Sequence, residues 1–432
     1  MKQLSAILLS TLLAAAATAM DLKAGAARVD LTPPLEMGAT LGGYGERMSK
    51  PAVGVHDRVW AKAVVFEGEG KRFALVTLDA VGIPPAIKPA AVEKLASEGW
   101  SLEAMMILPS HSHASLELHQ INPMNTFPIP QLGLYKPELY EFVVSKLAEV
   151  VRSAAKDLRP VRIGTGSKNI GEGWKRNRRE GNTYIDPTLT VTRIEETSGK
   201  PVAVLVNWAT HPTFMSEAEM MFSGGWPGHL QRTLEAWIGQ GVTVLFFNGA
   251  EGDQSPLARP DSGPSRWERA ERYGRELGFE AVKVWESISA RPCDRFSFHR
   301  ETIPLPKRTW HKDFMETGGT EYGMRPEIME DLLKQLAPSE TASVSLRLGD
   351  LVIVGIPGEL AAGLGSELGK QVSEATDARH VLVGGLADEW ISYILAPEEY
   401  DKGGYEASVS FYGRDLAPTL LSAAREGAST LK

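Results

Sequence analysis

Apolar and polar positions follow two rhythms along this chain. Short β-branched and aromatic runs predict strands at Trp60–Glu67, Arg72–Leu78, Met105–Leu108, Leu189–Ile194, Val202–Trp208 and Val242–Phe247. Between them, apolar residues three or four apart predict helices at Pro89–Ser97, Pro137–Asp157, His229–Ile238 and Arg266–Ser289. The last of these carries charges on one face and Leu, Phe, Ala, Val and Trp on the other. The stretch LRLGDLVIVGIPGE predicts a hairpin turning at Gly349–Asp350, then a strand that runs into a loop. This mixed order predicts an α/β fold around a mixed sheet, and excludes a repeat array or an all-β sandwich. Arg259–Ser265 and Thr309–Tyr322 read as long surface loops, and no low-complexity linker divides residues 20–432.

The N-terminus, MKQLSAILLSTLLAAAATAM, breaks both rhythms. Lys2 precedes an apolar stretch from Leu4 to Ala16, and Ala17-Thr18-Ala19 fits a small-x-small cleavage site. The stretch is short for a bilayer span of ~20 apolar residues. Residues 1–19 are therefore expected to be a signal peptide cut near Ala19, with an uncleaved anchor helix as the alternative. An exported protein, periplasmic or extracellular, follows.

Composition narrows the function classes. The chain is 43% hydrophobic, enough for a large core, and its net charge of −8 comes with no clustered basic face, which excludes a nucleic-acid partner. No amphipathic membrane helix stands out, so membrane contact is expected to be peripheral at most. Cys293 is the sole cysteine, which excludes an intramolecular disulfide; flanked by Pro292 and Asp294, it has no activating neighbour and reads as packing.

Chemistry concentrates where apolar runs end. His111 and His113 follow Met105–Leu108, and side chains two apart face one side if the extended chain persists through Ser112. His211 follows Val202–Trp208, Asp253 and Ser255 close a Gly-rich turn after Val242–Phe247, and Glu359 ends another apolar run. Tyr393, Tyr400 and Tyr405 lie among acids near the C-terminus. In a mostly parallel sheet such exits converge on one edge. Two histidines and a carboxylate leave a coordination position for water, as in hydrolytic zinc centres. Asp57 and Asp79 read either as partners that orient a ligand histidine or as turn residues.

These motifs, taken in order, resemble those of the neutral ceramidases, zinc-dependent amidases that cleave the N-acyl bond of ceramide. The likeness runs through GAARVDLTPP, GYGERMSKPAVGVHDRVWAKAVVF, LVTLDAVGI, LPSHSHAS, NWATHPTFMS, GAEGDQSP, PGELAAG and ISYILAPEEYDKGGYEAS. It implies a zinc-hydrolase fold with Zn²⁺ held by His111, His211, Glu359 and Tyr393. It further implies a catalytic Ser255, a substrate-facing His113, and substrate contacts from Arg178 and Tyr405, with Arg179 an equally literal match for the arginine. In that reading metal-activated water attacks the amide, His113 protonates the leaving amine, and donors such as Ser255 or Tyr405 hold the oxyanion. Ser255 is expected to orient water rather than attack, because no His–Asp pair accompanies it.

The chain departs from the family in two places. Where the family reads T-H-S-G-P, Ser115-Leu116 replaces Gly-Pro, which is expected to reshape the pocket wall. The chain also stops soon after its last motif, so the immunoglobulin-like C-terminal domain of full-length ceramidases is not expected. A lipid amide is the favoured substrate. The alternative is a polar amide or ester, such as an acylated sugar, on the same scaffold.

Overall fold

Alternation along single strands decides the architecture. In Lys71–Leu78, Phe73 and Leu75 pack to one side while Ala74, Val76 and Leu78 pack to the other. Pro201–Asn207 repeats the pattern, with Ala203 and Leu205 on the first side and Val204 and Val206 opposite. Leu351–Gly355 mirrors it from a second sheet: Leu351 and Ile353 enter the same inner cluster, and Val352 and Val354 face away. The computed structural model, which describes residues 20–432, thus has two sheets face to face with helices covering both outer faces. The signal-peptide reading falls on residues 1–19 and lies outside the described residues.

The larger sheet runs in the order Thr243–Phe247, Pro201–Asn207, Thr188–Glu196, Arg159–Asn169, Lys23–Asp30, Trp60–Gly68, Lys71–Leu78, Met105–Pro109. Ile87–Leu95, Pro137–Ala155, Gly225–Ile238 and Arg266–Ser287 cover its outer face. The last begins at a capping box in which the side chains of Ser265 and Glu268 each bind the other's backbone N–H. The smaller sheet orders Phe296–Pro304, Glu340–Leu348, Leu351–Gly355, His380–Gly384, and packs outward on Pro326–Leu336, Ala362–Thr376 and Leu416–Ser429. The hairpin at Gly349 forms as its sequence requires, with Gly349 at φ 61°.

The structure corrects two expectations. The larger sheet is mostly antiparallel, with parallel pairing confined to its two ends. The exits still converge because His111 and His211 leave from those parallel pairs, while Glu359 follows Leu351–Gly355 of the smaller sheet. Thr309–Tyr322 is also not a surface loop: it forms the short helices Lys312–Glu316 and Gly318–Glu321, with Phe314 buried. Its glycines and charges hid this, since Gly318 and Gly319 serve close packing against Val409 and Phe314 rather than flexibility. No helix among the described residues is long and apolar enough to cross a membrane.

Candidate metal centre and its cavity

His111 reaches the site through a turn, not through an extended chain. The strand ends at Pro109 and His111 adopts φ 61°, a conformation uncommon outside glycine. This swings His113 round so that the two rings meet edge to face, with Nε2 atoms 3.3 Å apart. The pairing is the one foreseen, reached by different geometry. Gly43 makes it possible: its backbone runs against His113, and an added Cβ would lie 2.2 Å from Nδ1.

His211 lies just beyond the strand Pro201–Asn207, past Trp208–Thr210, and is fully buried. Its Nδ1 lies 2.7 Å from the Glu251 carbonyl, so Nδ1–H donates there and Nε2 is left as an acceptor. His111 does the same through Nδ1 to the Val81 carbonyl. Both Nε2 atoms point at one carboxylate oxygen: Glu359 Oε2 lies 2.9 Å from His211 and 3.5 Å from His111. Glu359 and Tyr393 are cross-strand partners in a short parallel bridge, so their side chains leave the backbone side by side. The Tyr393 hydroxyl stands 3.5 Å from His211 Nε2.

This donor set fits a divalent cation such as zinc: two imidazoles with fixed tautomers, a carboxylate and a phenol, converging in a buried space. The electrostatics agree. Burial, then the Arg178 charge, pushes His211 down to about 4, which keeps it neutral. Burial alone would raise the Glu359 carboxyl, but His111 and His211 hold it well below the usual carboxylate range. Burial pushes the Tyr393 hydroxyl up, while Arg178 pulls it back; a cation in reach would favour its ionised form further.

His113 also approaches closely enough to complete a three-histidine cluster with His111 and His211. Its Nδ1, however, is buried without a hydrogen-bond partner. Ligand histidines ordinarily donate that second nitrogen to an acceptor, as His111 and His211 do here. Of the three histidines, His113 is therefore the one whose tautomer is not fixed by a hydrogen bond at Nδ1. Burial, then His111 and His211, keeps it neutral.

Arg178 does not line the cavity. Its Nη2 donates to the Tyr393 hydroxyl at 2.9 Å and to the Gly252 carbonyl, and its Nε to Glu406 at 2.7 Å. Arg179 shares Glu406 and binds the Glu399 and Gly403 carbonyls, clamping the loop before Tyr405. Both arginines are engaged by protein groups, and neither lines the cavity. Tyr405 does face the cavity, its ring edge against Tyr393.

Ser255, half-buried, does not line the cavity, and strand alternation sets its face. It lies on Gln254–Pro256, paired with Lys175–Asn177 in a register that sets it opposite Arg176. Antiparallel partners share a face, and Arg176 is exposed, so Ser255 faces outward with it. Its neighbours Gln254 and Asp253 turn inward instead. Asp253 accepts from Asn177 and from the first N–H of the helix Ala362–Thr376, which fixes the turn that delivers the Glu251 carbonyl to His211. Gly252 packs against Glu359, where a Cβ would lie 2.5 Å from its carbonyl oxygen.

Asp57 and Asp79 are turn residues here: Asp57 binds Ser223 and Arg232, and Asp79 accepts the Trp60 N–H. The orienting partners that sequence reading missed are backbone carbonyls, which carry no sequence signal, and Trp390, whose indole N–H donates to Glu359 Oε1 at 2.7 Å. Glu251 was missed too. Both its carboxylate oxygens are buried without partners, and burial, then Glu359, pushes it well above the usual range.

A cavity opens from the cluster. It is walled by Tyr322, Trp390 and Tyr405, and by Met329, Leu332, Leu333 and Leu336 of the helix Pro326–Leu336. The walls are mostly apolar, which sequence reading could not foresee because the helix was not predicted.

The chain and its fold also match known proteins. A family model described as neutral/alkaline non-lysosomal ceramidase, N-terminal, matches residues 22–260 and 331–421. The neutral ceramidase of Pseudomonas aeruginosa is 24% identical over 95% of this chain and 72% of its own length, and that of Mycobacterium tuberculosis 22% over 90% and 74%. The crystal structure of the Pseudomonas aeruginosa neutral ceramidase superposes with a TM-score of 0.80 at 20% identity, covering 95% of this chain and 74% of that one. A ceramidase complexed with C2 gives 0.77 at 20% identity, covering 95% and 75%.

Proposed function

The chain belongs to the neutral/alkaline non-lysosomal ceramidase family, and on that premise we propose that it is a zinc-dependent amidohydrolase cleaving the N-acyl bond of ceramide or another N-acyl lipid. The observation that carries the reading is the convergence of His111 Nε2, His211 Nε2 and Glu359 Oε2 beside a mostly apolar cavity that His111 and Glu359 help to line. His111, His211, Glu359 and Tyr393 would hold the metal. When bound, zinc supplies Lewis acidity and lowers the pKa of water from ~15.7 to about 7.

The chain's own residues supply the rest. The cavity wall on Pro326–Leu336 takes an apolar chain out of water and fixes the amide at the centre. His113 Nε2 accepts the proton given up by the attacking water and returns it to the leaving nitrogen. The Tyr405 hydroxyl donates toward the carbonyl oxygen as negative charge develops there. Arg178 keeps the Tyr393 oxygen in place, and Trp390 keeps Glu359 turned so that Oε2 faces the histidines. Export, resting on the Met1–Ala19 pattern, and at most peripheral membrane contact belong to the same proposal.

The test is fatty-acid release from a short-chain ceramide by the zinc-loaded protein, beside His211→Ala, with zinc content measured on both. Release that disappears together with zinc in the variant is expected. Full activity in a zinc-free variant would overturn the reading.

A further inference from the structure

Lys175 is a charged residue in an apolar place. It opens the strand Lys175–Asn177, is 2% exposed, and holds its ammonium 3.5 Å from the centre of the buried Trp208 ring. Its Nζ donates to the Ala209 carbonyl at 2.8 Å. Among the described residues it forms no ion pair; Asp186 and Asp253 act on it through their charge alone. Burial pushes its pKa down to about 7 in spite of them.

Burying an ammonium without a carboxylate costs stability, and one hydrogen bond with a ring contact returns only part of it. A methionine would fill the same space without the charge. What the lysine supplies instead is shown by its contact. Ala209 lies two residues before His211, on the segment Trp208–Thr210 that leads out of the strand Pro201–Asn207. The Thr210 hydroxyl also donates to the Ala209 carbonyl, but that bond stays within the segment. Lys175 ties the segment to a separate ribbon, made of Lys175–Asn177 and Gln254–Pro256. The same ribbon and its flanks hold two of the proposed ligands. The Gln254 carbonyl accepts the His211 backbone N–H, the Glu251 carbonyl accepts from His211 Nδ1, and Arg178 donates to Tyr393.

Resting on the zinc reading of the centre, we infer that Lys175 is a positioning residue of the metal site, which pins the ribbon to Trp208–Thr210 and so aims His211 Nε2 at the metal position. It touches neither that position nor the cavity, and acts through the Ala209 backbone on His211. The arrangement sets two effects against each other. Removing the ammonium relieves a burial cost in the fold, yet loosens the support of a ligand histidine. A residue that served packing alone would not separate the two.

Lys175→Met and Lys175→Gln test this beside the parent protein. Zinc affinity is read by competition with a chromophoric chelator, and thermal unfolding is followed on the zinc-free proteins. Zinc affinity is expected to fall about tenfold or more in Lys175→Met, while the zinc-free variant unfolds at the parent's temperature or above it. Loss of affinity without loss of thermal stability in either variant supports the role. Affinity within about twofold of the parent in every variant that folds overturns it and leaves the zinc reading standing. Affinity and unfolding temperature that fall together in both variants make Lys175 an ordinary support of the fold, and overturn the role as well. Failure of both variants to fold has the same meaning. A parent protein that binds no zinc overturns the zinc reading itself, and the role of Lys175 with it.

Discussion

The Trp390 indole N–H lies 2.7 Å from Glu359 Oε1, while Oε2 of the same carboxylate lies 2.9 Å from His211 Nε2. One donor thus decides which oxygen faces the metal position. Trp390→Phe retains the ring and removes only that donor. Zinc affinity is expected to fall about 10–100-fold, read by competition with a chromophoric chelator, with the folded near-ultraviolet spectrum retained. Unchanged affinity would show that the bridge Glu359–Tyr393 orients the carboxylate without help.

Ser255→Ala separates two accounts of the GDQSP turn. Loss of an oxyanion donor typically costs 10²–10³ in kcat. Because Ser255 shares the outward face with Arg176, the expected loss is below about tenfold. Steady-state kinetics on a short-chain ceramide read the difference.

Arg178 and Arg179 both engage Glu406, but only Arg178 reaches Tyr393. Removing either leaves Glu406 buried beside fewer positive charges, a disruption that costs about 3–5 kcal/mol for a buried pair. Arg178→Ala is expected to weaken zinc binding as well, and Arg179→Ala to loosen the loop before Tyr405 while sparing zinc. Thermal unfolding and zinc titration on both variants test this split.

Glu389 makes stability depend on pH. Burial pushes its carboxyl from 4.5 up to about 7, although Thr341 donates to it. Between those values the folded chain keeps a proton that the unfolded chain releases. Stability therefore declines as pH rises from about 4.5 to about 7 and then levels off, by on the order of 3 kcal/mol. Glu389→Gln is expected to flatten that decline, checked by denaturant unfolding at pH 5, 6 and 8 (~one unit or more apart).

Leu333 lines the inner cavity on the helix Pro326–Leu336. Leu333→Trp fills space that a long acyl chain would occupy. The expected result is a drop of tenfold or more in kcat/KM for a long-chain amide and little change for an acetyl amide. Equal losses on both would place the chain elsewhere.

Much of the molecule was legible in the chain. The strands at Trp60 and Lys71 and the helices at Pro137 and Arg266 announce themselves through periodicity, since burial of one face imposes it on each residue locally. His111, His211 and Glu359 stand out because polar residues at the ends of apolar runs are conspicuous, and the family resemblance added Tyr393. What tertiary structure alone decided is of another kind. The left-handed turn at His111, the carbonyls of Val81 and Glu251 and the outward face of Ser255 depend on how distant segments dock, and backbone groups are the same in every sequence. The roles of Trp390 and Arg178 likewise arise from segments far apart in the chain, because a hydrogen bond over tens or hundreds of residues leaves no local periodicity to read.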